Sequence, residues 1–240
     1  ICGLSKHSSP WHIWWHMRYT PNESMEASDA TRHGQYYENH CVAGFEKWSG
    51  NTAVNCPFRV SDMYQWIRAT PDALVLEDVL QNPIAPATLE CKCPYNAMYD
   101  SPPVQYVVQV VDQMFTYRIA VGYLCVWHPS GAMRVWRIRW DIRYWHWIME
   151  RASFFWRALQ TDIAPCKETL PWVVDAAETL MKLHSKGDLT EEQYARERIR
   201  VASEFRLLPE SLPPYLPLEC LHYDVVEETA RNYRSEERRV

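Results

Sequence analysis

The run Val121–Trp127 is apolar from end to end, and the turn residues Pro129-Ser130-Gly131 follow it closely. A short continuous apolar run closed by a turn reads as a strand buried on both faces. Met133–Trp140 then alternates, with Trp136, Ile138 and Trp140 on one face and Arg137 and Arg139 on the other, so the turn predicts a hairpin. A strand covered on both sides demands helical layers, and the chain supplies them. Ser9-Pro10 opens a short aromatic helix over Trp11–Tyr19, and Ala27–Trp48 forms a second, ended by Gly50. Pro102-Pro103 opens a third, to about Ile119, with Val104, Val107, Val108, Val111 and Phe115 as its apolar face. Asp141 caps a fourth that runs to about Gln160. Strands are expected over Ala53–Val60, Trp66–Glu77 and Thr88–Lys92. The resulting order is α, α, β, β, β, α, β, β, α, which predicts an α/β core built on one mixed sheet flanked by helices. Composition shifts after Pro165. Two further helices are expected over Glu168–Lys186 and Thr190–Phe205, the second opened by a Thr190/Gln193 capping box, and Leu208–Pro217 reads as extended. The expected division is a core over residues 1–162 and a helical C-terminal extension over 163–240.

Composition narrows the function classes. The 240 residues suffice for one domain and an appendage. With 25 basic and 30 acidic side chains the net charge is −5, so a nucleic-acid partner requires a local basic patch. Glycine is scarce, at 7, and neither GxGxxG nor GxxxxGK[ST] occurs, which removes dinucleotide and P-loop readings. The most apolar stretch, Val104–Trp127, is interrupted by Gln109, Asp112, Gln113 and Arg118, so no membrane partner is expected. No secretory leader is recognisable, and the start at Ile1 without Met points to upstream residues. The eight cysteines lack a regular spacing and are expected as free thiols in a reducing, intracellular compartment. That compartment is the cytoplasm of a prokaryotic host, or the host nucleus for a eukaryotic virus.

Chemistry concentrates in Thr70-Pro71-Asp72 and Leu89-Glu90-Cys91-Lys92. Asp72 and Glu90 fall on neighbouring predicted strands, roughly 4.8 Å apart if paired. Two carboxylates that close repel unless a cation lies between them, and hard oxygen donors suit Mg²⁺ or Mn²⁺. Glu90 and Lys92 share a strand face, which sets an ammonium beside a metal-bound water and a phosphate. Cys91 points the other way, and its backbone carbonyl is a further candidate ligand. A Pro-Asp turn and a Glu-x-Lys strand also occur as solvated surface features. The apolar flanks Leu74-Val75-Leu76 and Thr88-Leu89 favour the site.

Several segments taken together resemble the YqaJ-like viral recombinase family, to which lambda exonuclease belongs, within the PD-(D/E)XK nucleases. The matching residues are Gly3-Leu4-Ser5 with Ser9-Pro10-Trp11; Gly34 with Glu38; Pro71-Asp72; Glu90-Cys91-Lys92-Cys93-Pro94; Tyr106 with Gln109 and Met114; and Asp141. They cover roughly residues 1–157. The resemblance implies a restriction-endonuclease-like fold and a Mg²⁺- or Mn²⁺-dependent nuclease that digests one strand of linear duplex DNA, usually 5′ to 3′, for annealing recombination. It implies Asp72 and Glu90 as metal ligands, Lys92 as the catalytic lysine, Glu38 as an additional acid and Gln109 as a glutamine near the site. A single-strand annealing protein and a ring-shaped trimer are partners known in the family. This sequence departs from the pattern at Ala73, where Gly is usual, and at Val110-Val111, where a second Gln is frequent.

Other residues carry weaker signals. His33 is an alternative metal ligand, as in cap-snatching endonucleases. Gln105, Gln109 and Gln113 line one side of a helix, and of these Gln109 is expected at the substrate. Arg32, Arg137, Arg139 and Arg143 are candidate phosphate contacts, although arginines beside Trp136, Trp140 and Trp145 also serve to cover apolar surface. Cys91-x-Cys93 with Cys56 is read as structural, the strand cysteines not being expected to face a common ion. Two other functions share these residues: an endonuclease on DNA or RNA, and an inactive DNA-binding or assembly module.

Overall fold

A computed structural model of the chain describes residues 2, 4, 10–19, 27–160, 183–194, 196 and 218–223. Its elements run α1 (Pro10–Tyr19), α2 (Asp29–Ser49), β1 (Ala53–Val54), β2 (Arg59–Val60), β3 (Arg68–Ala69), β4 (Ala73–Asp78), β5 (Ala85–Lys92), α3 (Val104–Tyr117), β6 (Val121–Trp127), β7 (Met133–Arg139), α4 (Ile142–Gln160) and β8 (Leu218–Tyr223). The described residues divide into two compact units. One holds α1, α4 and the described residues of 183–196; the other holds α2, α3 and the strands.

The second unit is the expected mixed sheet, in the order β1-β4-β5-β6-β7-β8, with β2 and β3 as a separate two-stranded ribbon. β5 and β6 pair in parallel, with α3 as the connection between them, and the other neighbours are antiparallel. Local chemistry fixes the helix ends. The Ser28 side chain accepts the Thr31 N–H at 3.1 Å to start α2, and Gly50, at φ 72°, ends it with its N–H on the Glu46 carbonyl. The hairpin closes at Gly131, φ 90°, whose N–H reaches the His128 carbonyl at 2.8 Å.

Each face of the sheet has its own cover. Ala87, Leu89, Cys91 and Cys93 pack with Tyr123, Cys125 and Val135 of the sheet and with Cys41 and Phe45 of α2. Thr88, Glu90 and Lys92 turn to the opposite face, where α3 lies. Gly122 lets α3 approach closely: a Cβ there would stand 2.4 Å from Val110 Cγ1 and 2.7 Å from Thr88 Oγ1.

Three strand expectations change. Ala53–Val60 is two short strands on either side of Pro57, and Trp66–Glu77 is broken at Pro71, because proline lacks the N–H a ladder needs. β5 begins at Ala85, ahead of the expected Thr88, and accommodates Pro86 where the β4–β5 register shifts. Within the expected helical extension, Leu218–Tyr223 is instead a strand paired with β7. Thr190 and Gln193 do exchange capping-box bonds, at 2.9 and 3.2 Å. Most of the two C-terminal helices and all of Leu208–Pro217 fall outside the described residues.

The first unit is an aromatic core. Trp11, Trp14, Trp15 and Phe155 are buried together with Ala158 and Leu189. Trp14 Nε1 donates to the Ala158 carbonyl at 3.2 Å. No described helix is long and apolar enough to cross a membrane.

Candidate active site

The Pro71 break places Asp72 just ahead of β4. Ala73 is opposite Leu89, so the antiparallel register brings Asp72 level with Glu90. Asp72 Oδ2 accepts the Cys91 backbone N–H at 2.7 Å, which fixes that carboxylate at the strand end and draws the Cys91 backbone into the cluster. Glu90 is 1% exposed, and both of its oxygens are engaged. Oε1 accepts from the Lys92 ammonium and from Gln109 Nε2 at 2.6 Å, and Oε2 accepts from Gln113 Nε2 at 2.5 Å. Both glutamines project from α3, one helical turn apart. The Lys92 ammonium also lies over the Tyr106 ring, 5.2 Å from its centroid.

The electrostatics follow from the crowding of these charges. Burial raises the Glu90 pKa and nearby Asp72 raises it further, against the opposing pull of Lys92 and the Gln113 hydrogen bond. Asp72 is also raised, by burial, although the Cys91 N–H and Lys92 oppose it. On α2, Glu38 feels the same neighbours: burial and the Asp72 charge raise it, and Lys92 lowers it. Burial alone would lower Lys92, but Glu90 beside it, with Asp72 and Tyr106, more than compensates and holds the ammonium charged. One ammonium thus faces three carboxylates that resist ionising together.

That donor set fits a hard divalent cation. Asp72 and Glu90 offer charged oxygens, and their raised pKa values mark a place where added positive charge is favourable. Among the described residues no three His, Cys, Asp or Glu side chains converge as a ready-made metal site, so the donors here are a carboxylate pair with Glu38 near it.

The other candidates have surroundings of their own. His33 packs against Tyr37 and Tyr95, with ring centroids at 4.7 and 5.2 Å. Arg32 pairs with Asp29 at 2.5 Å and donates to the Ala27 carbonyl at 2.7 Å in the first turn of α2. Arg137 pairs with Glu219 of β8 and donates to the Leu80 carbonyl at 3.3 Å. Arg139 is exposed at the end of β7, and Arg143 is exposed in the α4-bearing unit. Cys56 hydrogen-bonds Tyr117 at 2.8 Å, whereas Cys91 and Cys93 share the α2-facing side, as the two-residue strand period requires. Sequence reasoning passed over Gln113. Its signal was the spacing of four from Gln109, but a run of glutamines at that spacing reads equally as a solvated stripe.

A mixed sheet whose adjoining strands bring an Asp opposite a Glu-x-Lys, backed by helices, defines a PD-(D/E)XK-type nuclease fold. Residues 1–118 match the family model of the YqaJ-like viral recombinase domain. Among solved structures, the chain is similar to an alkaline exonuclease from Laribacter hongkongensis, at 18% identity and a TM-score of 0.57, over 67% of this chain and 84% of that one. The same exonuclease in complex with dAMP matches at 17% identity and a TM-score of 0.56, over 67% and 85%. No curated protein matches the chain.

Proposed function

We propose that the chain is a divalent-metal-dependent DNA exonuclease that hydrolyses one strand of linear duplex DNA, 5′ to 3′, in annealing recombination. The observation that carries this reading is the meeting of Asp72, Glu90 and Lys92 at the β4–β5 strand ends, with Glu38 close by. The recombinase-domain match and the exonucleases among the similar structures support the substrate class.

Asp72 and Glu90, with the Cys91 carbonyl and Glu38, would hold Mg²⁺ or Mn²⁺. When bound, such an ion supplies Lewis-acid polarisation of the phosphate and a water that ionises more readily. Gln109 and Gln113 hold the Glu90 carboxylate in one orientation from α3, so it meets substrate preorganised. Lys92 enters the reaction as a charged donor. With its pKa raised by Glu90, it holds a water or a phosphate oxygen by hydrogen bonding and offsets the charge that develops on the phosphate. A single-strand annealing protein and assembly into a ring belong to the same reading as its partners.

The test compares a labelled linear duplex with a closed circle, with and without Mg²⁺. Digestion of the linear form from its 5′ ends, sparing the circle, is expected, and Lys92→Ala should lower the rate by roughly 10²–10³-fold. Cleavage of the circle would instead identify an endonuclease. Absence of Mg²⁺ binding by calorimetry would identify an inactive module.

A further inference from the structure

A cavity of about 240 Å³ opens in the sheet-bearing unit, between the turn that joins β2 to β3, the C-terminal end of α3 and Trp140 just past β7. Its walls are apolar: Met63, Met114, Phe115, Ile119 and Trp140. The Phe115 and Trp140 rings lie nearly parallel, at 22°, with centroids 6.1 Å apart, and both residues are only half-buried. They form an aromatic face on which a further flat ring can continue the stack. Thr116 also lines the cavity. It is 1% exposed, and its hydroxyl has no hydrogen-bond partner among the described residues. A buried hydroxyl left in that state is costly until a bound group meets it. At the mouth, Arg118 pairs with Asp62 at 3.1 Å, and Arg59 reaches the same carboxylate at 3.4 Å. Two cations thus share one anion, and exposed pairs of this kind are weak enough for a phosphate to compete. The Ser61 hydroxyl accepts the Met63 and Tyr64 N–H groups, both at 3.3 Å, and so fixes the turn that carries Asp62 and Met63.

We propose that this cavity takes one unstacked base of a single DNA strand, with the neighbouring phosphates on Arg118 and Arg59. The volume is below the roughly 300–1,000 Å³ of sites for drug-sized ligands, which suits one flat ring system. Every base has a π-face for Phe115 and Trp140, and hydrogen-bonding groups at its edge for the Thr116 hydroxyl. The excess of guanidinium over carboxylate suits a phosphate chain. An apolar protein segment would use the walls and leave the two cations without a role. The position on α3 links the cavity to the cluster at Glu90. Gln109, Gln113 and Thr116 follow at i, i+4 and i+7 on the helix whose glutamines hold that carboxylate. Seven residues of α-helix span about 10 Å, roughly three base steps of DNA. A base seated here anchors the strand a few nucleotides from the scissile phosphate. That role in digestion rests on the function proposed above; binding of the base does not.

The experiment measures, by fluorescence anisotropy in EDTA, how the full-length chain binds a labelled oligothymidylate and an abasic strand of equal length. The oligothymidylate should bind tighter by roughly 5- to 150-fold, the worth of one base stacked on an aromatic ring. Phe115→Leu keeps an apolar wall without the aromatic face, and Thr116→Val removes the hydroxyl. With folding checked by circular dichroism, the first should lose most of that preference and the second part of it, while both bind the abasic strand as before. A 5-iodouracil strand photocrosslinked to the unaltered chain should join the peptide carrying Phe115 or the one carrying Trp140, which keeps the test decisive if a variant fails to fold. Equal binding of the two strands, a preference that survives in Phe115→Leu, or crosslinks at other peptides alone overturns the base pocket. Equal binding with self-association that Phe115→Leu abolishes makes the cavity a contact between copies of the chain, which also overturns it. Should the chain prefer oligothymidylate as expected but digest no duplex in Mg²⁺, the function proposed above fails and the pocket stands.

Discussion

At Glu90 three donors converge on a carboxylate with almost no access to water. Gln113 is the partner that sequence patterning does not single out, and it engages the oxygen that Lys92 leaves open. Gln113→Leu should cost about 1–3 kcal/mol in urea unfolding, because it leaves a buried charged oxygen without its donor. Asp72 works in the opposite sense. Its folded pKa is raised, so the native state binds more protons than the unfolded chain between the two values. Stability therefore falls as pH rises through that window, and the ionised cluster is a burden at neutral pH. Asp72→Asn should raise the melting temperature by a few degrees while abolishing both Mg²⁺-induced stabilisation and digestion, which differential scanning fluorimetry and a gel assay would read. The raised carboxylates also set a pH profile. The digestion rate should climb on a limb lying above 4.5, the ordinary Glu value, and the raised Lys92 pKa adds no alkaline decline below 10.5.

Among the elements, α3 does most to position the cluster. Its apolar stripe docks on β6, and the lack of a side chain at Gly122 lets it come close enough for Gln109 and Gln113 to reach Glu90. Gly122→Ala forces Val110 or the Thr88 hydroxyl to move, an overpacking expected to cost about 1–3 kcal/mol in chemical denaturation. It should also lower the digestion rate, because the glutamines retreat with the helix. The apolar stripe of α3 was legible from Val107, Val111 and their neighbours. The closeness of the docking was not, since it depends on a glycine that in sequence looks like one more small residue in an apolar strand.

Across the whole molecule, β8 returns from far along the chain to close the sheet edge beside β7. Arg137 bridges them, holding Glu219 of β8 and the Leu80 carbonyl. Arg137→Ala should lower stability by about 1–3 kcal/mol through the acceptors it leaves unpaired, with little change in the salt dependence of DNA binding. A loss of one phosphate contact in that dependence would count against this structural role. What the sequence determined by itself is everything that rests on local periodicity and punctuation: the all-apolar β6, the hairpin at Gly131, the cap at Ser28, the stop at Gly50, and the Pro-Asp and Glu-x-Lys segments. Those signals act over a few residues and survive in one dimension. The tertiary structure decided the register that sets Asp72 opposite Glu90, the arrival of Gln113, the gathering of four thiols behind Lys92, and the capture of Leu218–Tyr223 by β7. Each of these depends on which distant segments pack together, and that is settled by burial and pairing over the whole chain.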